Sequence, residues 1–211
     1  MTHEEEAIMP EQSTMHGYLN WAKQRIDEMD ATLASLEGKV SQLKADLKPK
    51  ADQLIDDLRK QRQEFGAQVE AQTRAGEAAA QTTKSQLESR WSDFEALVKG
   101  YFETVGKQAE HQNATFQAIA AAQAKAWREV VDTFRNEAAK LATARRADLD
   151  AAIKQMNSDA AEAEARLQSL RQTGADSWAT VSSALAESRK AFDRANQEAW
   201  EALKRAASPK A

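Results

Sequence analysis

The stretch YLNWAKQRIDEMDATLASLEGKVSQLKADL, residues 18–47, carries an apolar side chain at every seventh position. These positions are Leu19, Ile26, Leu33, Val40 and Leu47, and Ala22, Met29, Leu36 and Leu43 fall between them. A repeat of seven residues sustained over this length is typical of a helix that supercoils along another helix. The stretch therefore predicts a long helix whose apolar stripe is buried against a second helix.

The composition extends this prediction to the whole chain. Only seven glycines and three prolines punctuate 211 residues, too few for the turns of a β-sandwich or an alternating α/β fold. Hydrophobic residues make up 42% of the chain but aromatic residues only 6%, and many of the rest are alanines, which pack helices closely. We therefore predict an all-α protein, an elongated antiparallel bundle or coiled coil of long helices.

The charge, the lack of cysteine and the N-terminal sequence bear on the partners and the location of the protein. Charged residues form 29% of the chain in mixed sign, with a net charge of −4, which predicts no nucleic-acid partner. The chain has no cysteine, so it has neither disulfides nor thiolate metal sites. The first residues resemble no secretory signal, and no apolar run reaches the roughly 18 residues of a membrane span. We expect the protein in the cytoplasm.

The first half reads as one helical segment behind a tail. Residues 1–12 predict a disordered acidic tail, with Ser13 or Thr14 capping the first helix. Residues 13–105 predict heptads followed by rows that repeat every eleven residues, with a kink or turn at Pro49, which has no N–H. One such row is Leu58, Val69, Ala80, Trp91 and Phe102, and its neighbour includes Leu54, Phe65, Gly76, Leu87 and Val98.

The second half reads as a long helix followed by a final one. Gly100 and Gly106 predict the reversal between the halves, because glycine is costly inside a helix. Residues 107–173 contain neither glycine nor proline and predict a single helix of roughly 100 Å. Within 106–206 we expect a break near Gly174, with Asp176 or Ser177 as the next cap, and residues 207–211 should fray.

The two halves share a pattern that suggests duplication. Trp91, Phe94, Val98 and Val105 have the same spacing as Trp178, Val181, Leu185 and Phe192. Ordinary helical patterning would produce much of this match, so duplication is a hypothesis. Between Trp178 and Trp200 the same row carries Arg189, which suits an exposed groove or a membrane surface better than a dry core.

The residues predicted to form helix interfaces are the large apolar members of these rows. They are Leu19, Ile26, Met29, Leu33, Leu36, Val40, Leu43, Leu47, Leu58, Val69, Trp91, Phe102, Phe116, Trp127, Phe134, Leu149, Met156, Leu167, Trp178, Leu185, Phe192 and Trp200. The tryptophans among them read first as core or interface anchors and alternatively as rings at a lipid or polymer boundary.

No motif for chemistry is present. The chain lacks a phosphate-binding glycine loop, a dinucleotide fingerprint, a nucleophile elbow and a zinc-binding His-Glu helix. Its histidines, His3, His16 and His111, are far apart in sequence, and Glu110 beside His111 has the wrong spacing for a di-iron site. We therefore predict no enzyme activity, no catalytic residue, no metal and no cofactor.

Two pairs of segments resemble a known family. The segments LNWAKQRIDEMDATLASLEGKV (19–40) with SRWSDFEALVKGYF (89–102), and ARLQSLRQTGADSWATVSSALAESRKAF (165–192) with EAWEALKRA (198–206), resemble small bacterial coiled-coil proteins associated with stress response. The resemblance would cover nearly the whole chain as two tandem copies. A weaker similarity, through FQAIAAAQAKAWREVV (116–131), is to phasins, which coat storage granules.

Together these features predict a non-enzymatic structural or interaction protein. The leading hypothesis is a self-associating, stress-related helical rod or scaffold, a homo-oligomer in which a second copy covers the apolar seams. A bundle closed within one chain is the competing architecture. The alternative function is an amphipathic coat on a lipid or storage-granule surface, phasin-like or apolipoprotein-like.

Overall fold

The structure, a computed structural model, describes residues 10–75, 80–143, 146–173 and 177–208. The regular structure in these residues is helical throughout, without strands, so the predicted all-α class is confirmed. The helices in chain order are α1 (Pro10–Val40), α2 (Lys48–Ala75), α3 (Ala80–Thr104), α4 (Ala109–Lys140), α5 (Ala147–Thr173) and α6 (Trp178–Ala207). Over the described ranges, no helix has the length and apolarity needed to span a membrane.

The heptad helix is shorter than its apolar pattern predicts. α1 ends at Val40, and a turn that contains Leu43 and Leu47 leads to α2. Leu43 lies in this turn but is buried in the core. The apolar spacing therefore extends past the end of the helix. Pro49 is the second residue of α2. The missing N–H of Pro49 removes no helical hydrogen bond at this position, so Pro49 is compatible with the start of a helix. The predicted interruption lies before Pro49, between Val40 and Lys48.

The predicted chain ends also shift. α1 begins at Pro10, so Ser13 and Thr14 lie inside the helix and do not cap it, and residues 10–12 are helical, unlike the tail predicted there. Residues 1–9 of that tail lie outside the described residues. α6 ends at Ala207, and residues 209–211 also lie outside the described part of the chain.

The segment 107–173 is two helices, so the prediction of a single long helix is wrong. α4 ends at Lys140, and Leu141 follows in an extended conformation, with its amide bonded to the Ala138 carbonyl at 3.1 Å. α5 begins at Ala147 and folds back along α4. The gain from covering the apolar face of α4 outweighs helix continuity, although no glycine or proline marks the turn.

The eleven-residue rows of the first half are likewise divided. α2 ends at Ala75 and α3 begins at Ala80, and Gly76 lies outside the described residues. The two helices run antiparallel, because Gln72 bonds Thr83 (2.6 Å) while Gln68 bonds Gln86 (2.7 Å). A row of apolar residues reports which face is buried but not where the chain reverses.

The reversal between the halves lies at Gly106, in the connection from α3 to α4, while Gly100 is inside α3. A Cβ at Gly106 would lie 2.8 Å from Phe102 Cδ1 and 2.9 Å from Tyr101 Cε1, so the turn has no room for a side chain. Ser177 caps α6 as expected, accepting a 3.4 Å hydrogen bond from the Thr180 amide. Gly174 and Asp176 lie outside the described residues.

The two halves repeat the same three-helix arrangement at an offset of 98 residues. α3 and α6 begin at Ala80 and Trp178, and the earlier helix starts agree with this offset to within one residue. Buried positions follow the same offset, including Tyr18 with Phe116, Met29 with Trp127, Leu36 with Phe134, Ala51 with Leu149, Leu58 with Met156, Leu87 with Leu185, Phe94 with Phe192 and Phe102 with Trp200. The match proposed from Trp91 and Trp178 has the wrong register, because it pairs residues 87 apart. We call α1–α3 the first repeat and α4–α6 the second repeat.

Each repeat has its own apolar core. One cluster of buried residues is built from α1, α2 and α3, and two clusters are built from α4, α5 and α6. Of the predicted interface residues, Leu19, Ile26, Val40, Leu47 and Trp178 are half-buried against these cores, and all the others are buried. Trp178 belongs to the second repeat but also packs on the first. The centre of its ring lies 4.2 Å from the centre of the Phe102 ring.

Candidate functional site

The two repeats meet along a seam that is polar, unlike the cores on either side. Lys23 and Glu129 form an ion pair of 2.7 Å between α1 and α4, and further along these helices Ser35 shares a 2.9 Å hydrogen bond with Thr115. The seam holds most of the buried polar side chains in the described residues: Gln24, Arg25, Glu28, Thr32, His111, Thr115, Gln123, Arg189 and Asn196. We call this set the seam.

Helix α6 joins the seam by packing along α1. Asn196 Nδ2 donates to the Gly17 carbonyl at 2.9 Å, and Arg25 Nη2 lies 2.7 Å from Asp193 Oδ2. A Cβ on Gly17 would lie 2.8 Å from Trp200 Cδ1, so glycine permits this close approach of α1 to α6. Polar bonds and a small residue therefore hold the second repeat on the first.

The centre of the seam is an ion pair between Glu28 of α1 and Arg189 of α6. Glu28 is 1% exposed and Arg189 is 7% exposed. Arg189 Nε donates to Glu28 Oε2 at 2.9 Å, and its Nη1 donates to Glu95 of α3 at 2.7 Å. Gln123 of α4 also donates to Glu28 Oε2, at 3.1 Å, and to the Leu185 carbonyl. Three helices thus meet at the Glu28 carboxylate, and α3 joins them through the contact of Glu95 with Arg189.

The two partners of this pair differ in how firmly they hold their charge. Burial raises the pKa of Glu28 above its usual range, and the nearby Arg189 and Arg25 guanidinium groups offset this only in part. Burial alone would lower the pKa of Arg189, but Glu28 and Glu95 outweigh it and raise that pKa. Arg189 therefore remains charged at ordinary pH, and the protonation of Glu28 decides the charge of the pair.

Trp91 lies beside this pair, at the position that corresponds to Arg189 in the other repeat. The Arg189 guanidinium carbon lies 4.8 Å from the centre of the Trp91 ring, and that of Arg25 lies 5.4 Å from it. Both distances fit cation–π contacts. Two equivalent positions of the repeats, 98 residues apart, therefore stack on one another.

The repeats depart from exact symmetry, and the departure leaves a cleft. α6 packs along α1, whereas α3 makes little contact with α4 over the described residues. The resulting gap is a cleft of about 650 Å³, with α3 and α6 as walls and α1 and α4 beneath. Phe102 and Trp178 close one end, and Arg189 with Glu95 closes the other.

The cleft combines apolar walls with a polar floor. Its aromatic lining comes from Trp91, Phe94, Phe102 and Trp178, and Glu28 and Arg189 reach it from the seam. The second carboxylate oxygen of Glu28, Oε1, is buried and has no hydrogen-bond partner. Buried acceptors are normally paired, so Glu28 keeps the capacity to accept one further hydrogen bond.

Of the predicted interface residues, Trp91, Phe102, Trp178 and Leu185 line this cleft, while the others pack in the cores or against them. Glu28 was missed, because its position lies outside the heptad stripe and reads as solvated. It is buried because α1 packs against four other helices, so its covered face is wider than the stripe. Arg189 did carry a signal, as a charged residue within an apolar row.

The arrangement suits binding by charge and apolar contact. In the part of the chain that the structure describes, no three His, Asp or Glu side chains are grouped closely enough to hold a metal ion. No family model matches this chain, and comparison with curated proteins and with solved structures gave no significant match. The resemblance to stress-response coiled coils and to phasins therefore stays a prediction.

Proposed function

We propose that this protein is a non-enzymatic interaction protein, an elongated helical scaffold with a preformed binding cleft between its two repeats. The observation that carries the proposal is the cleft, at about 650 Å³ with aromatic walls over a buried ion pair. Small-molecule sites typically enclose about 300–1,000 Å³ with apolar walls and a few polar groups. Helices of 25 to 32 residues, roughly 40–50 Å each, support the elongated shape that we propose.

The burial of the apolar rows bears on self-association. The homo-oligomer expected from the sequence needs apolar seams that a second copy would cover. Among the described side chains, no Leu, Ile, Val, Met, Phe, Tyr or Trp is exposed, and the exposed apolar residues are alanines and Pro49. A second copy would therefore find no large apolar face to cover in this conformation.

We accordingly expect a monomer. Light scattering coupled to size exclusion, at concentrations across the micromolar range, should give the mass of one chain, 23.3 kDa. The control is the same measurement at high salt, which would dissociate a dimer held by charged faces. Twice the monomer mass, independent of salt, would instead support the self-associating rod.

The same burial bears on the alternative of a surface coat. A helix that lies on lipid or on a granule needs large apolar residues on its outer face. In the closed bundle these residues face the two cores, so a coat would require each three-helix repeat to open. The described residues therefore favour the scaffold with a cleft over the coat.

Uptake of a neutral guest tests the cleft directly. We expect 4-phenylbutanol to bind one-to-one and to change the emission of Trp91 and Trp178, because both rings line the cleft. Ala186→Trp, which places a large ring in the cleft, should weaken binding at least tenfold in isothermal titration calorimetry. Ala165→Trp, at an exposed position of α5, is the matched control and should bind normally.

Absence of saturable binding to the wild-type chain would overturn the proposed function. So would binding that Ala186→Trp leaves unchanged, because the guest would then occupy some other part of the surface. Circular dichroism of both variants checks that the helices remain intact.

A further inference from the structure

We propose that the cleft binds an organic cation: a protonated amine, with its ammonium group at Glu28, on an apolar body that packs against the aromatic walls. The inference rests on the proposed function and specifies the ligand class of the same cleft. It draws on three features of the site: the shape of the cleft, the charges around it, and a carboxylate oxygen of the lining residue Glu28 that has no hydrogen-bond partner.

The shape of the cleft limits the size of its occupant. Along α6 the closed ends are marked by Trp178 and Arg189, eleven residues and so roughly 16 Å apart. Both ends are shut by contacts between α3 and α6, so a long helix or an extended peptide cannot pass through. The occupant is therefore a small molecule, and its body is apolar because Phe94, Phe102 and Trp178 line the walls.

The charges around the cleft select the sign of the ligand. The ionisable residues that line it are the acids Glu28, Glu95 and Glu103 and the bases Lys99 and Arg189, an excess of one negative charge. An anionic ligand would need a free cation, but Arg189 is already engaged by Glu28 and Glu95. Lys99 is exposed and lies 3.7 Å from Glu103. The site therefore favours a cationic ligand over an anionic one.

The orphan oxygen of Glu28 selects a donor. Oε2 of this carboxylate accepts from Arg189 and Gln123, whereas the buried Oε1 accepts from no group in the described structure. An ammonium group has three N–H donors and no acceptor, so it satisfies Oε1 and adds the missing positive charge. A carboxylate ligand would leave Oε1 unpaired and place a like charge beside it. An alcohol would satisfy it without the charge.

A series of probes with one body and three head groups tests the inference on the full chain. The probes are 4-phenylbutylammonium, 4-phenylbutanol and 4-phenylbutyrate, measured by titration calorimetry at neutral pH. We expect the ammonium to bind about ten- to a hundredfold more tightly than the alcohol, since charge-assisted hydrogen bonds are the stronger class. The carboxylate should bind most weakly of the three.

Glu28→Gln removes the charge at nearly constant size and should abolish the preference for the ammonium while the alcohol still binds. The matched control is Glu129→Gln, whose carboxylate pairs with Lys23 outside the cleft and which should keep the preference. If Glu28→Gln fails to fold, the three wild-type affinities decide the matter alone.

The outcomes separate this inference from the proposed function. Equal binding of the ammonium and the alcohol, or tighter binding of the carboxylate, would overturn the cation site and leave the cleft in place. A preference for the ammonium that survives in Glu28→Gln would also overturn it, because another acid would then hold the head group. Failure of all three probes would remove the proposed function and this inference together.

Discussion

Replacing Arg189 by methionine is expected to lower the free energy of unfolding by about 3–5 kcal/mol, the usual cost of removing one partner from a buried ion pair. Methionine keeps much of the volume but leaves the Glu28 carboxylate with only Gln123 as a hydrogen-bond partner. It also removes the guanidinium that stacks on Trp91. Urea unfolding followed by circular dichroism measures the loss as a lower midpoint at constant slope.

This loss should depend on pH in a defined direction. Burial already raises the pKa of Glu28, and removing Arg189 raises it further because only Arg25 and the Gln123 hydrogen bond then offset the burial. A carboxyl whose pKa is higher in the folded state than in the unfolded state binds more protons when folded, so stability falls as pH rises between the two values. The deficit of Arg189→Met should therefore be smaller near pH 5 than near pH 8.

The double variant Glu28→Leu with Arg189→Met tests whether the instability comes from an unpaired Glu28 carboxylate or from the loss of the ion pair itself. It leaves no uncompensated carboxylate in the seam, and Gln123 keeps the Leu185 carbonyl as an acceptor. Apolar pairs of similar volume often replace a buried ion pair at little cost, so we expect the double variant to lie within about 1 kcal/mol of the wild type. A double variant as unstable as the sum of its parts would show that the pair itself stabilises the protein.

The sequence predicts which faces of the helices are buried, because apolar spacing depends only on local geometry. Leu58, Trp127 and Phe134, which lie in such rows, are buried. Chain reversals are a different matter. Two antiparallel helices and one long helix can carry the same rows, so the turn after Lys140 left no signal in the absence of glycine or proline.

The site was less accessible from the sequence than the fold. Glu28 reads as a surface residue because a heptad describes one partner helix, whereas α1 has four. Trp91 and Arg189 correspond to each other through the 98-residue offset between the repeats. The pattern of buried positions shows this offset, but the residue types at many corresponding positions differ. Arg189 alone stood out, as a charge where the row called for an apolar side chain.

Truncating a core residue in one repeat is expected to destabilise that repeat more than the other. Phe65 in the first repeat and Phe134 in the second are both fully buried, and each lies in the cluster of its own repeat. Changing either to alanine should cost about 3–5 kcal/mol through lost burial and the remaining cavity. Phe65→Ala and Phe134→Ala are matched, because they remove the same side chain from separate cores.

Hydrogen exchange read by mass spectrometry locates where each loss falls. Because a polar seam joins the two cores, Phe65→Ala should reduce protection in α2 and α3 while α5 keeps most of its protection, and Phe134→Ala should do the reverse.

The milder variants Phe65→Leu and Phe134→Leu, at about 1–2 kcal/mol each, should combine additively within about 0.5 kcal/mol, as sites without shared partners do. Equal loss of protection across α1 to α6 from either alanine variant would mean that the seam couples the repeats as tightly as a continuous core. The cleft between α3 and α6 could then not change its width without unfolding the bundle.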